Sequence, residues 1–349
     1  MFSIDLPISK SIANRRLILQ AVHGDRLLSV SAANMPDDVQ LLHDVLAVNT
    51  AEYTDGREID LGNCGTAMRF LTAYFACLTG CDVVLTGCER MQERPIGQEV
   101  TALRALGADI CYVAQEGYPP LRIRGRVLPR EAVHIANPLS TQFVSALLLI
   151  GVPATTNISS PYIEMTRAVI RQYDEERQIA VGEQTVEADW SAAAFWYEYV
   201  ALHSGKILLR GLRADSIQGD KAVADLFERL GVATHYCSDG AVITRKEAYA
   251  YPDRIAYDFA PTPDLYPATA ICCEQMGVVL EASGTESLVL KESNRIEAVA
   301  QHQVRGDHRI AMALLAAGLA CDDIECISKS YPNFYEQLCA CKRLFQDGE

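Results

Sequence analysis

Six stretches of the chain share one pattern, in which a short polar or small-residue opening leads into an apolar run that ends at a glycine. Within each run the apolar residues recur at helical spacing, and small residues are frequent. This pattern predicts six buried helices. The stretches are 9–24, 65–80, 140–151, 191–205, 262–277 and 307–318.

The first and last residues of these stretches fit the two ends of a helix. A Ser, Thr or Asp can accept hydrogen bonds from N–H groups that have no partner in the first turn, and a closing Gly can adopt the left-handed conformation. We therefore expect helix N-termini at Ser9, Ser140, Ser191, Thr262 and Asp307, and at Gly65 as well.

Two further segments, 103–125 and 227–246, predict a helix end, a Gly stop and a β-hairpin. In the first, Ile110 and Tyr112 alternate with polar residues, as do Leu121 and Ile123, and a Gly-containing gap separates the two runs. Alternation of this kind on both sides of a short polar gap is typical of paired strands.

The recurring unit is therefore a helix, a strand, a second helix and a hairpin. Three copies in each half predict an α/β fold of two similar lobes, each hiding its small-residue helices and exposing its amphipathic ones. We assign residues 7–186 to the first lobe and 187–349 to the second, with residues 1–6 as a further candidate for the second.

Composition and charge narrow the class of protein. A length of 349 residues favours two domains, and no apolar run is long enough to span a membrane. With no signal peptide evident, we expect a cytoplasmic protein without a membrane partner. The net charge of −14 argues against nucleic acid as a partner, and the 12 cysteines, which lack zinc-type spacing, are expected to be reduced and packed.

Cations stand at the helix openings and in the connecting motifs despite the negative net charge. Arg69 and Arg309 are the most informative, because each lies in an otherwise apolar helix, where an unpaired charge is costly. Helix N-termini and guanidinium groups both favour anions, so the pattern predicts a pocket for two anionic substrates. The cations are Lys10, Arg15, Arg69, Arg94, Lys291, Arg295, Arg309 and Lys329.

Ten short motifs follow one another over both halves of the chain. They are SKSIANR (9–15), GNCGTAMRFLTAYFA (62–76), ERMQERPIG (89–97), STQFVSALL (140–148), SSPYIEMT (159–166), ADWSAAAFWY (188–197), TPDLYPA (262–268), KESNRI (291–296), GDHRIAMA (306–313) and SKSYPNFYEQL (328–338). In content and order they resemble the motifs of the 5-enolpyruvylshikimate-3-phosphate synthase family.

The resemblance implies transfer of the enolpyruvyl group of phosphoenolpyruvate to the 5-hydroxyl of shikimate 3-phosphate, with release of phosphate. It implies the two-lobed fold of three repeats per lobe, a monomer, and neither an organic cofactor nor a metal. Matched motif by motif, the shikimate 3-phosphate residues would be Lys10, Ser11, Arg15, Ser140, Thr141, Gln142, Ser159, Tyr162, Asp264 and Lys291. The phosphoenolpyruvate residues would be Lys10, Asn63, Gly65, Thr66, Arg94, Gln142, Arg295, Arg309 and Lys329.

The resemblance assigns the chemistry to Asp264 and Glu292, with Lys10 between the two ligands. The 5-hydroxyl must lose a proton while C3 of phosphoenolpyruvate gains one, which calls for a base and a separate acid. Asp264 would be the base and Glu292 the acid. On the residues alone, Asp264 could instead cap a helix, and Glu292 could pair with Arg295.

Two alternatives remain at this point. The UDP-N-acetylglucosamine enolpyruvyl transferases carry a reactive Cys five residues before the Arg-Pro pair, where this chain has Glu89; Cys88, one position away, is expected to be an inert packed thiol. The second alternative is a degenerate, ligand-binding relative of the family. It is suggested by a first strand that is missing or reduced to residues 2–6. The segments after Arg171 and after 291–300 are also too short for a hairpin, and residues 49–59 are compact.

Overall fold

The computed structural model describes residues 2–29, 35–179, 186–284 and 301–346, and it contains two compact units. Lobe A comprises Ser11–Ser29 and Asp38–Gln184. Lobe B comprises Met1–Lys10, Val30–Asp37 and Thr185–Glu349. A single cut at residue 186 would instead place residues 7–10 and 30–37 with lobe A.

Lobe A contains most of the first half of the chain. Its helices are α1 (Lys10–His23), α2 (Asp37–Ala47), α3 (Gly65–Cys77), α4 (Glu89–Gln92), α5 (Gly97–Ala105), α6 (Thr141–Leu149) and α7 (Pro161–Ile179), with a 3-10 turn at Thr50–Glu52. Its strands are β2 (Arg57–Asp60), β3 (Asp82–Thr86), β4 (Asp109–Tyr112), β5 (Leu121–Arg124), β6 (Val133–His134) and β7 (Ala154–Thr155).

Lobe B contains the first strand of the chain, β1 (Phe2–Asp5), and the second half. Its helices are α8 (Trp190–His203), α9 (Val223–Glu228), α10 (Tyr266–Met276), α11 (His308–Ala316) and α12 (Phe334–Gln346), with 3-10 turns at Gly219–Ala222, Pro263–Leu265 and Glu325–Lys329. Its other strands are β8 (Lys206–Arg210), β9 (Val232–Cys237), β10 (Gly240–Arg245), β11 (Arg254–Asp258) and β12 (Val279–Ser283).

The two lobes repeat one sheet topology. Lobe A has the strand order β2-β3-β5-β4 and lobe B has β1-β8-β10-β9. In each sheet the first pair is parallel and flanks a buried helix, and the remaining pairs are antiparallel and include the hairpin. Both hairpins predicted from the sequence, β4-β5 and β9-β10, are confirmed. The strand predicted at residues 2–6 is present as β1.

The remaining repeats are shorter and keep mainly a parallel pair around a helix. Strands β6 and β7 pair around α6, β11 and β12 pair around α10, and a bridge joins His302 to Cys321 around α11. Helix α7 extends to Ile179, so only residues 180–187 separate it from the bridge at Ala188. The predicted shortening after Arg171 falls partly on residues 180–185, which lie outside the described residues.

The six predicted buried helices are confirmed as α1, α3, α6, α8, α10 and α11. Their closing glycines all have positive φ, from 69° at Gly24 to 118° at Gly205. Ser140 and Asp307 cap α6 and α11, as expected. Two expected caps are wrong: Asp189 rather than Ser191 caps α8, because its carboxylate accepts from both Ser191 N and Ala192 N, and the Thr262 side chain makes no capping bond.

Helices packed on several sides form the core of each lobe. In lobe B, α8, α10 and α11 pack against one another, and the α8 side chains from Trp190 to Ala201 are buried with few exceptions. In lobe A, α3 packs against α5 and α6, and α6 packs against α7. None of the helices in the described part of the chain has the length and apolarity that crossing a membrane requires.

Glu198 is an ionisable residue inside the core of lobe B. It lies in α8, is fully buried, and neither carboxyl oxygen has a hydrogen-bond partner among the described residues. Burial raises the pKa of Glu198 well above its ordinary value. The folded protein therefore keeps a proton on this carboxyl at pH values where the unfolded chain releases it.

This proton predicts how replacing Glu198 changes stability. The folded state binds more protons than the unfolded state, so the contribution of Glu198 is most favourable below its unfolded pKa and is lost as the pH rises towards its folded pKa. Glu198→Leu should raise the free energy of unfolding by about 1–3 kcal/mol near neutral pH and less in acid. Urea unfolding at about pH 5 and about pH 8 measures the difference, with the exposed Glu247→Leu as control. If the difference in unfolding free energy between Glu198→Leu and the unmodified chain became smaller as the pH rises, Glu198 would not be the protonated buried acid described above.

Candidate active site

Arg94 in lobe A lies against the beginning of α3. A β-carbon placed on Gly65 would be 2.4 Å from Nη1 of Arg94, so the guanidinium occupies the space that a side chain at position 65 would need. The first turn of a helix presents free N–H groups, which favour anions. Gly65 thus lets a cation approach a helix opening that already attracts anions.

Arg69, one turn further along α3, is joined to Gln142 and Thr66. Its Nη1 donates to Gln142 Oε1 at 2.7 Å and to the Gly65 carbonyl at 3.3 Å. Gln142 Nε2 in turn donates to Thr66 Oγ1 at 3.0 Å. The structure therefore brings together Gly65, Thr66, Arg94 and Gln142, which the sequence assigned to one anion site.

Both guanidinium groups are partly desolvated and repel each other. Burial, and then the charge of Arg94, lower the pKa of Arg69 to about 10. Burial also lowers the pKa of Arg94, followed by the charge of Arg90. Neither Arg69 nor Arg94 forms an ion pair within the described ranges. We call these two residues, with the opening of α3, the arginine cluster.

Arg15 occupies a different environment, in which its hydrogen bonds go to the protein itself. Its Nε donates to Thr166 Oγ1 at 2.7 Å, Nη1 to the Ser11 carbonyl at 2.7 Å and Nη2 to the Tyr162 carbonyl at 3.3 Å. Burial lowers its pKa to about 10. Arg15 thereby ties Ser11 of α1 to Tyr162 of α7, two more residues of the predicted shikimate 3-phosphate set.

Three other members of that set lie at helix openings in lobe A. Ser140 caps α6, where its Oγ accepts from Gln142 N at 3.3 Å, and Thr141 is the first residue of the helix. Ser159 is exposed just before α7. Its neighbour Ser160 is buried and accepts from Tyr162 N at 3.2 Å, so Ser160 is the one that supports the helix opening.

In lobe B, Asp264 and Arg309 form an ion pair. Asp264 Oδ2 accepts from Nη2 of Arg309, whose Nη1 lies 2.7 Å from Nε2 of His308. Asp307 caps α11, with its carboxylate accepting from Arg309 N at 3.0 Å. Asp264 lies inside a 3-10 turn whose N-cap is Thr262, and the N-cap of α10 is Leu265, so Asp264 is not a helix cap.

Asp220 is a second buried carboxyl next to this pair. It accepts from the Ser191 hydroxyl. Burial, and then the charge of Asp264, raise the pKa of Asp220 to about 8. Asp220 therefore holds a proton near neutral pH.

Lys10 and Lys329 also belong to lobe B. The Lys10 backbone N–H donates to Asp189 Oδ2 at 3.0 Å, so the cap of α8 also fixes the first residue of α1. Lys329 ends the 3-10 turn Glu325–Lys329, and Ser328 Oγ donates to Asp37 Oδ2 at 2.5 Å. Asn63, of the predicted phosphoenolpyruvate set, directly precedes the N-cap of α3 in lobe A.

Three predicted site residues, Lys291, Glu292 and Arg295, lie outside the described residues. The sequence analysis did not single out Asp220, His308 or Glu99, a buried acid in α5. Glu99 had a detectable signal, because it falls on the stripe formed by Ile96, Val100 and Leu103 at helical spacing. Asp220 has no such pattern, because it stands in a short connection. Within the described ranges, no group of three or more His, Cys, Asp or Glu side chains could hold a metal ion.

Three cysteines differ from the expectation that all of them are packed. None of the 12 cysteines forms a disulfide, and nine are buried or half-buried, but Cys88, Cys111 and Cys237 are exposed. Our expectation of a packed thiol at Cys88 was wrong. The residue precedes α4, a four-residue helix that buries only Met91, so nothing in that helix covers Cys88.

Comparison with known proteins identifies the family. The family model for EPSP synthase (3-phosphoshikimate 1-carboxyvinyltransferase) matches residues 3–305. The chain belongs to the EPSP synthase family. A 3-phosphoshikimate 1-carboxyvinyltransferase of Bacteroides fragilis (strain YCH46) is 37% identical over 400 aligned positions, which cover 96% of this chain and 94% of the relative. A 3-phosphoshikimate 1-carboxyvinyltransferase of Escherichia coli O6:H1 is 31% identical over an alignment that covers 99% of this chain and 97% of the relative.

The solved structures agree on the fold. An EPSP synthase from Acinetobacter baumannii superposes with a TM-score of 0.66 at 19% identity, covering 97% of this chain and 95% of that one. This likeness confirms the predicted two-lobed enolpyruvyl transferase fold. The alignment with the Bacteroides fragilis protein spans 400 positions, more than the 349 residues of this chain. The chain therefore lacks internal segments that the Bacteroides fragilis protein has.

The close approach of Arg94 predicts a selective defect for Gly65→Ala. The three atoms nearest to the added methyl group would all belong to the flexible guanidinium of Arg94, so the methyl should displace that group at little cost in stability. We expect affinity for inorganic phosphate, measured by calorimetry, to fall by roughly tenfold, because a charge-assisted hydrogen bond is lost.

Gly80→Ala in the same lobe is the matched control. Gly80 has a φ of 87° and open space around its Cα, so the substitution strains the backbone without touching Arg94. It should lower the free energy of unfolding by about 1 kcal/mol and leave phosphate affinity unchanged. Equal phosphate affinity in the two variants would show that the methyl at 65 does not move Arg94 out of place.

Proposed function

We propose that the chain is an active 3-phosphoshikimate 1-carboxyvinyltransferase, which transfers the enolpyruvyl group of phosphoenolpyruvate to the 5-hydroxyl of shikimate 3-phosphate and releases phosphate. The observation that carries this proposal is the match to the EPSP synthase family over residues 3–305. The arginine cluster in lobe A and the Asp264–Arg309 pair in lobe B support it, because the reaction needs sites for anions and a carboxylate base. The product would enter the shikimate pathway to aromatic amino acids.

Addition of the 5-hydroxyl to C2 of phosphoenolpyruvate requires two proton transfers. The hydroxyl loses its proton as the C–O bond forms, and C3 gains one, which gives a tetrahedral intermediate. Loss of phosphate and of a proton from C3 then restores the double bond. We assign Asp264 as the base and Glu292 as the acid that later takes the C3 proton back, with Lys10 contacting both substrates.

The arginine cluster is assigned to phosphoenolpyruvate. Arg94 and the opening of α3 supply guanidinium and backbone donors for its carboxylate or phosphate, and Gln142 is held there by Arg69 and Thr66. The remaining phosphoenolpyruvate ligands in this assignment are Lys10, Asn63, Arg295, Arg309 and Lys329.

Shikimate 3-phosphate is assigned to the openings of α1, α6 and α7. Ser11, Ser140, Thr141, Ser159 and Tyr162 would bind its phosphate and ring, together with Lys10, Gln142, Asp264 and Lys291. Since Arg15 already donates to two main-chain carbonyls and to Thr166, its contribution would be chiefly to fix Ser11 and Tyr162 in position.

In lobe B, the ion pair with Arg309 holds the proposed base Asp264 in position. Protonated Asp220 adds no second negative charge beside this base. We further propose that the protein acts in the cytoplasm as a monomer, with no cofactor and no metal.

The shortened repeats favour a second candidate, a ligand-binding relative without activity. Phosphate release by the purified chain with both substrates separates the two functions. In that assay, Asp264→Asn should reduce kcat by roughly 10²–10⁴-fold, because the general base is lost, while the Kd for shikimate 3-phosphate changes modestly. Near-normal turnover in this variant would remove Asp264 from the mechanism, and no turnover by the unmodified chain would favour the binding protein.

Neutralising Arg309 tests the assignment of the lobe B cation. Arg309→Gln removes a charge-assisted contact, so kcat/KM for phosphoenolpyruvate should fall by roughly 10–100-fold. Affinity for shikimate 3-phosphate should change little. Steady-state kinetics with each substrate varied in turn measures both.

Arg124→Gln is the control for loss of a positive charge. Arg124 lies in β5 with 48% of its side chain exposed, and its Nε is 3.6 Å from Asp82 Oδ2. An exposed pair of this kind contributes about 0–1 kcal/mol, so kinetics should stay near those of the unmodified chain. Equal defects in the two variants would mean that the family motif at Arg309 carries no information about binding.

A further inference from the structure

Glu99 is a buried acid beside the arginine cluster that no step of the proposed reaction uses. It lies in the first turn of α5, none of its surface is exposed, and neither carboxyl oxygen has a hydrogen-bond partner among the described residues. An apolar residue would complete the stripe of Ile96, Val100 and Leu103 at lower cost, since burying an unpaired carboxyl is unfavourable. Packing alone therefore does not account for an acid here.

The charges around Glu99 come chiefly from α3. Helix α5 packs against α3, α6 and β4. Helix α3 carries Arg69, Tyr74 and Cys77, and its N-cap is Cys64; α6 carries no titratable side chain. Strand β4 carries Asp109, Cys111 and Tyr112, and Asp109 is already paired with Arg126 at 2.6 Å.

Of these groups, Arg69 is the one whose charge acts on Glu99. Burial raises the pKa of Glu99 well above its ordinary value, and the positive charge of Arg69 opposes that rise. The carboxyl thus responds to two opposing effects, and Arg69 in turn is repelled by Arg94. A change of charge at the arginine cluster must change how tightly Glu99 holds its proton.

We propose that Glu99 is a proton-linked counter-charge of the arginine cluster: it holds its proton more tightly when a dianion is bound there, so that anion binding is accompanied by proton uptake. The proposal requires only that the arginine cluster binds anions. That the anion is phosphoenolpyruvate rests on the proposed function.

The sign of the effect follows from linkage. A bound dianion repels the Glu99 carboxylate, so the complex holds more protons than the free protein. Anion affinity therefore increases as the pH falls through the Glu99 pKa and decreases as the pH rises above it. A Gln at this position keeps the shape without the charge, so its affinity should not depend on this proton.

Sulfate is a suitable probe, because its charge stays constant over the pH range of interest. Isothermal titration calorimetry at constant ionic strength, from about pH 6 to about pH 9, measures its affinity for the full chain. The unmodified chain should lose affinity by about tenfold over this range, whereas Glu99→Gln should stay nearly constant and bind about tenfold more tightly at the alkaline end. Titrations in buffers of different ionisation enthalpy measure the protons taken up on sulfate binding. This uptake should be present in the unmodified chain and absent in Glu99→Gln.

Two further variants complete the test. Glu93→Gln makes the same chemical change six positions earlier at an exposed site and should follow the unmodified chain within about twofold. Glu99→Leu, also uncharged, should show the same constant affinity as Glu99→Gln, so the test does not depend on one variant folding.

The outcomes separate this proposal from the proposed function. If sulfate affinity changes with pH as much in Glu99→Gln and Glu99→Leu as in the unmodified chain, the proposed role of Glu99 is overturned. If Arg94→Gln binds sulfate as tightly as the unmodified chain, the arginine cluster is not the anion site, and the proposal falls with that assignment. Proton-linked sulfate binding without turnover of the two substrates would support Glu99 and count against the enzyme.

Discussion

Burial of whole helices is the constraint on which the rest of each lobe depends. Helices α8, α10 and α11 pack together with small and apolar residues on nearly every side, as do α3 and α6 in lobe A. Such helices can present polar groups only at their ends, where the first N–H groups lack partners in the helix. The cap residues Asp189 and Asp307, and the cations Arg69 and Arg94, accordingly gather at those openings.

The periodic features of the sequence predicted the fold well, because they reflect local physics. Helical spacing, closing glycines and alternating strands anticipated the six buried helices and both hairpins. The caps were harder, since Asp189 and Ser191 are both able to cap and only the folded backbone decides which one reaches the free N–H groups. The pairing of Asp264 with Arg309 and the burial of Asp220 depend on contacts between distant segments, which no local pattern encodes.

The shortened repeats show which part of the unit a lobe needs. Each truncated copy retains a parallel pair or bridge around a buried helix, and its hairpin is absent or falls outside the described residues. A hairpin covers the outer surface, whereas the helix fills the core and carries the motif at its opening. Loss of the outer strands therefore leaves both the packing of the central helices and their N-terminal openings in place. This explains why extensive trimming is compatible with intact motifs from Ser9 to Leu338.

Two buried acids bear on how a chain with a net charge of −14 would hold the anions proposed as its substrates. Glu99 stands near Arg69, and Asp220 near the Asp264–Arg309 pair, and burial raises the pKa of both carboxyls. A protonated acid fills its space without the repulsion that a carboxylate would exert on a bound anion. The neighbouring guanidinium opposes this rise in pKa in both cases, so a ligand that changes the charge beside either acid would shift its proton affinity. In the proposed site, a few desolvated groups would therefore set the local potential, whatever the negative charge of the surface.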